Sequence, residues 1–171
     1  MTTLSQKNII LVGMPGVGKS TVGVLLAKQL GRYFLDTDVF IQVLCERSLQ
    51  DIIDKDGLEE FCRIEADYVS CVDVENAVIA TGGSVVYSEK AMRHLKSTGI
   101  IVHLDLPLEM IKERVKNLYT RGLVMEKGKT LDDLYAERQP LYEKYADITI
   151  ECEGKNQDQI AAQIIEAIEA R

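Results

Sequence analysis

Short apolar runs alternate along this chain with longer segments whose apolar residues recur at helical spacing. Asn8-Ile9-Ile10-Leu11-Val12 is almost continuously apolar and predicts a buried strand. Thr21 to Leu30 then follows the helical pattern and stops at Gly31. Further strand-like runs fall at Tyr33 to Leu35, Ala77 to Ala80, Ile100 to Leu104 and Ile148 to Glu151, divided by segments with a period of about 3.6 residues. The last such segment, Gln159 to Ala170, sets Ile160, Ile164, Ile165 and Ile168 on one face, with Asn156 and Asp158 as candidate caps. Five strands joined by crossover helices predict an α/β fold: an open five-stranded parallel sheet with helices on both faces. Ligands of such a sheet gather at the C-terminal edge of its strands.

Two stretches break the alternation. Asp36 to Ser70 is mostly helical, too long for a simple crossover and interrupted at Gly57, so 38–70 reads as a helical insertion beside the sheet. Leu118 to Lys129 is polar and glycine-bearing between two helices, which is the character of an active-site lid. There is no internal repeat, low-complexity tract or Pro/Ser-rich linker, and 1–171 reads as a single domain.

Between the first strand and the first helix stands Gly13-Met14-Pro15-Gly16-Val17-Gly18-Lys19-Ser20, which satisfies G-x-x-x-x-G-K-[ST]. Strand, glycine-rich loop and helix together predict a P-loop of the NTPase type. Its amides, from Gly13, Gly16, Val17 and Gly18 through Lys19, Ser20 and Thr21, would cradle phosphate oxygens. Lys19 would reach the β- and γ-phosphates, and the Ser20 hydroxyl would ligate Mg²⁺. A nucleoside triphosphate is the implied ligand.

Composition narrows the partners. Apolar residues make up 46% and charged residues 27%, within the globular range. A net charge of −7 argues against a nucleic-acid partner, which would need clustered Lys and Arg. No run reaches transmembrane length, and the first seven residues lack an apolar signal core. Cys45, Cys62, Cys71 and Cys152 lack zinc-site spacing and read as reduced thiols. A cytoplasmic monomer acting on a small molecule, away from membranes, is the expectation.

Two further groups carry chemistry. Asp36-Thr37-Asp38 follows the second strand, placing two carboxylates at the ligand edge. One could hold Mg²⁺ through water while the other positions and deprotonates an attacking hydroxyl. Asp38 could equally cap a helix beginning near Val39. Thr81-Gly82-Gly83-Ser84 follows the third strand, where paired glycines let backbone approach a ligand closely.

These residues, with Phe61 to Glu65, Arg121 and Glu137-Arg138-Gln139-Pro140-Leu141-Tyr142, resemble the shikimate kinase family nearly end to end. The resemblance implies that Asp38 binds the substrate hydroxyls near the phosphoryl acceptor and that Asp36 supports Mg²⁺. It implies that Arg121 closes over the phosphates from the lid and that Arg114 stacks on adenine. Arg138 would grip the substrate carboxylate beside Gly82 and Gly83. ATP with Mg²⁺ would be the phosphoryl source.

Three positions depart from the family pattern. Where the family has Phe-Arg-x-x-Glu, this chain has Phe61-Cys62-Arg63-Ile64-Glu65, so a cysteine replaces a carboxylate-binding arginine. Arg63 lies one residue on, rotated by about 100° around a helix. Ser84 takes the third place of a glycine run, and Gly122 replaces the proline after the lid arginine. The expected activity is ATP-dependent phosphorylation of a hydroxyl on a small polar metabolite, with shikimate as the favoured acceptor. The alternatives are another hydroxy acid or polyol, or an inactive nucleotide-binding paralogue.

Overall fold

The computed structural model describes residues 7–116, 125 and 128–171. Strands β1 (Asn8–Val12), β2 (Tyr33–Asp36), β3 (Ala77–Ala80), β4 (Gly99–Asp105) and β5 (Ile148–Glu151) form one parallel sheet in the order β2-β3-β1-β4-β5. Every residue of β1 and β3 is buried, which explains their continuous apolar sequence: central parallel strands are covered on both faces. The edge strands β2 and β5 are only partly covered, and Tyr33 is largely exposed.

Eight α-helices are present among the described residues: α1 (Lys19–Leu30), α2 (Thr37–Cys45), α3 (Leu49–Asp56), α4 (Leu58–Ser70), α5 (Glu89–Thr98), α6 (Leu108–Lys116), α7 (Leu131–Tyr145) and α8 (Gln157–Glu169). α1 packs on β1 and β3 with α8 beside it, while α5 and α7 pack on β4 and α4 backs α5. Ile9 to Val12, Val78, Ile79 and Ile100 to Val102 form the centre of the main core.

The expected insertion is present as α2, α3 and α4, which share a smaller core of Ile41, Leu49, Ile52 and Phe61. Gly57, at φ 91°, separates α3 from α4. α2 begins at Thr37, earlier than the cap at Asp38 would have placed it. The Asp36 carboxylate accepts from the amides of Asp38 (3.0 Å) and Val39 (3.3 Å), so Asp36 is the N-cap. At the other end of the chain Asn156 caps α8 in a capping box with Gln159, and Asp158 lies in the first turn.

Strand register determines where the site falls. Leu11 and Asp36 both pair with Ala80, so β1, β2 and β3 end side by side. The Thr81 amide and hydroxyl both donate to the Leu11 carbonyl, at 3.1 and 2.9 Å, which extends β3 alongside the loop after β1.

Candidate active site

The loop after β1 needs glycine for steric and conformational reasons. Gly13 has φ 148°, and a Cβ there would stand 2.6 Å from the Leu104 carbonyl oxygen. α1 opens at Lys19 with Gly18 at its N-cap, φ 105°, and no capping side chain. It has no acidic residue in its first turn, whereas the seven other helices all carry one. The first-turn amides and the positive end of the helix dipole are thus left for an external anion. Lys19 sits inside the loop and donates to the carbonyls of Gly13 (2.7 Å) and Met14 (3.0 Å). Burial pushes its ammonium down to about 8, against the opposing pull of Asp38.

Asp36 serves two groups at once. One oxygen caps α2, and the other accepts from the Ser20 hydroxyl at 2.5 Å. A hydroxyl and a carboxylate held together beside a phosphate cradle are hard oxygen donors, the set that suits Mg²⁺. Asp38, at the start of α2, is driven up to about 6 by burial, with the Asp36 charge adding and Lys19 opposing.

The loop after β3 draws the rest of the site together. The Gly82 amide donates to the Thr37 hydroxyl at 3.1 Å, fastening this loop to the start of α2. A Cβ on Gly82 would collide with Glu65 Oε1 and stand 2.7 Å from Asp38 Oδ1. A Cβ on Gly83 would stand 2.8 Å from an Arg138 guanidinium nitrogen and 3.2 Å from the Pro15 ring. Two glycines therefore let P-loop, α2, α4 and α7 meet at one point.

α7 is anchored there by Arg138 and Tyr142, one turn apart. Tyr142 donates to the Gly83 carbonyl at 2.7 Å and stacks on His103 with ring centroids 5.2 Å apart. Arg138 is almost fully buried; its Nε donates to the Tyr87 hydroxyl at 3.2 Å, and its guanidinium lies over that ring. Arg114, on α6, donates to the Val17 carbonyl at 3.1 Å, beside the P-loop. Arg121 lies outside the described residues, and of the expected lid over 118–129 only Met125, Gly128 and Lys129 lie within them.

Glu65 is the functional candidate that spacing did not single out. It is 1% exposed, and Ser84 donates to its Oε2 at 2.5 Å, while Oε1 has no partner among the described residues. Burial drives its carboxyl up to about 7, although the Ser84 hydrogen bond favours the charged form. Ser84 thus adds a donor aimed at a buried acid in place of the family glycine. Arg63 does not take over from the missing arginine. It is 62% exposed and pairs along α4 with Glu60 and Asp67.

A phosphate cradle with a buried lysine, set against two carboxylates and a buried arginine on neighbouring elements, defines a P-loop kinase for a small molecule. The shikimate kinase family model matches residues 15–169. A shikimate kinase of Thermodesulfovibrio yellowstonii is 37% identical over 167 residues, 96% of each chain. One of Persephonella marina is 37% identical over 161 residues, 94% of this chain and 98% of that one. The solved shikimate kinase of Acinetobacter baumannii, in complex with shikimate, superposes with a TM-score of 0.87 at 33% identity, covering 96% of this chain and 93% of that chain. The chain belongs to the shikimate kinase family, and it is an ATP-dependent small-molecule kinase.

Proposed function

We propose that this protein transfers the γ-phosphoryl group of ATP to a hydroxyl of shikimate. The observation that carries the reading is the Gly82–Gly83 junction, where Asp38, Glu65, Arg138 and the P-loop residue Pro15 come within contact of the missing Cβ atoms. A ring compound with hydroxyls and a carboxylate meets a base, a hydrogen-bonding acid and a cation there, next to a phosphate cradle.

Phosphoryl transfer asks a protein chiefly for positioning and charge neutralisation. The α1 amides and Lys19 hold and neutralise the phosphates, while Arg114 lies where the nucleotide would extend past Val17. Ser20 and Asp36 would hold Mg²⁺, which supplies charge neutralisation on the phosphate oxygens when bound. Asp38 takes the acceptor proton as the hydroxyl oxygen bonds to phosphorus and the bond to ADP breaks. With its carboxyl near 6, Asp38 is mostly ionised at neutral pH and still basic enough to receive that proton. Arg138 holds the carboxylate, and Gly82 and Gly83 let the ring approach. In the resemblance Arg121 adds charge from the lid.

Among the described residues no helix is long and apolar enough to cross a membrane, and no disulfide joins any of the four cysteines. Reduced thiols suit a reducing cytoplasm. A single chain carries every residue named here, so a monomer suffices.

One observation favours a second acceptor class. Cys62 lines the cavity beside Arg138 where the family has an arginine, so a hydroxy acid or polyol with its anionic group elsewhere is the rival. ADP release measured with shikimate, quinate, gluconate, homoserine and nucleoside monophosphates distinguishes them. Release stimulated foremost by shikimate and abolished in Lys19→Ala is the expected result. Stimulation by another acceptor alone would select the rival, and none by any acceptor would leave a nucleotide-binding protein.

A further inference from the structure

We propose that Thr37 is a positioning residue for the phosphoryl transfer: its buried hydroxyl ties the loop after β3 to α2 and so sets where Asp38 stands relative to the P-loop. The inference rests on the shikimate reading above and concerns how the two reactants of that reaction are aligned.

Residues 81–84 each bond to a different element. The Thr81 amide and hydroxyl donate to the Leu11 carbonyl on β1, just before the P-loop. The Gly82 amide donates to the Thr37 hydroxyl on α2 at 3.1 Å. The Gly83 carbonyl accepts from Tyr142 on α7 at 2.7 Å, and Ser84 donates to Glu65 on α4 at 2.5 Å. This short loop is therefore the hub that holds the phosphate side and the acceptor side of the site at a fixed separation. The link at Gly82 is the one that reaches the segment carrying the paired carboxylates. Thr37 lies between Asp36 and Asp38, so whatever fixes its backbone fixes theirs. A Cβ on Gly82 would stand 2.7 Å from Asp38 Oδ1, so the Thr37 bond and the base flank the same residue.

Thr37 is fully buried, at a place where an apolar side chain would carry no polar group into the interior. Its hydroxyl instead accepts from an amide that is itself buried. β-Branching leaves few χ1 states, so the backbone places this hydroxyl and the link is stiff. The route from P-loop to base runs through Leu11, Thr81, Gly82, Thr37 and Asp38, with hydrogen bonds at Leu11–Thr81 and Gly82–Thr37. Reaction rates fall steeply when reacting groups are misplaced by about 1 Å, and this route sets that spacing. Without the Thr37 bond, the loop and α2 part and Asp38 leaves its alignment with the acceptor hydroxyl. Water then takes the acceptor's place at phosphorus, and its oxygen bonds there as the bond to ADP breaks, giving inorganic phosphate.

The test compares wild type, Thr37→Val and Thr37→Ser with shikimate and ATP, following both ADP and phosphorylated shikimate. Valine keeps the shape and removes the acceptor oxygen, so kcat should fall by about ten- to a hundredfold. KM for ATP should hold, and the share of ADP not matched by phosphorylated shikimate should rise. Serine keeps the oxygen and should restore both kcat and the match. Thr37→Cys, whose sulfur is a weak acceptor, should fall between them, and it carries the comparison where the valine variant does not fold. Wild-type kcat in Thr37→Val, equal losses in the serine and valine variants, or a rise in KM for ATP that parallels the lost rate each overturn the proposal while leaving the shikimate reading standing. Absence of shikimate-dependent ADP release in wild type overturns that reading, and this inference with it.

Discussion

Glu65 lies against Gly82 with one oxygen bonded to Ser84 and the other without a partner among the described residues, so its charge should weigh on folding. Burial moves its carboxyl from an ordinary 4.5 to about 7. An acid whose folded pKa is raised binds more protons in the native state than in the unfolded one. Its contribution to stability is therefore lost as pH rises from about 4.5 through about 7. At about 1.4 kcal/mol per pH unit, the loss amounts to about 3 kcal/mol above pH 7. Glu65→Gln keeps the shape and an oxygen for Ser84 but removes the ionisation. The variant should be more stable than wild type by about 3 kcal/mol at pH 8 and nearly equal to it at pH 4.5. In a chain of this size that corresponds to a rise in Tm of about 6–12 °C at pH 8. Thermal unfolding of both proteins at the two pH values measures it. A stability difference that does not change with pH, or a less stable variant at pH 8, would refute the reasoning. Activity should move the opposite way if Glu65 accepts from a substrate hydroxyl.

Two further outcomes follow from the same geometry. The kcat/KM for the acceptor should fall below about pH 6, where Asp38 takes up a proton, and again above about pH 8, where Lys19 loses one; Asp38→Asn should lose most of the rate, and a flat profile from pH 5 to 7 in wild type would contradict Asp38 as the base. Gly82→Ala puts a methyl group against Glu65 and Asp38, so KM for the acceptor should rise more than about tenfold while KM for ATP holds; a normal acceptor KM would show that the carboxylates yield.

What could be read in the chain beforehand was whatever depends on neighbours in sequence. The P-loop, the buried strands β1 and β3, and the isoleucine face of α8 are local patterns whose physics is complete within a dozen residues. Asp36-Thr37-Asp38 was legible as a pair but not in its division of labour. Spacing cannot say which carboxylate caps α2, and the structure gives that task to Asp36 together with the Ser20 hydrogen bond. The Glu65–Ser84 contact joins α4 to the loop after β3, 19 residues away, and exists only because the sheet order brings those elements together. Ser84 stood out as an interrupted glycine run, yet nothing local shows that its hydroxyl answers a buried acid. Tyr87 carried no motif, and its bond to Glu137, 50 residues away, follows from no local pattern.

The central claim is that the phosphoryl group held at Gly13 to Ser20 passes to a hydroxyl of shikimate. Mass spectrometry of shikimate after incubation with the protein, ATP and Mg²⁺ tests it directly. The account predicts shikimate heavier by one phosphoryl group, formed in step with ADP and absent with Lys19→Ala. ADP formation with shikimate left unmodified would contradict it.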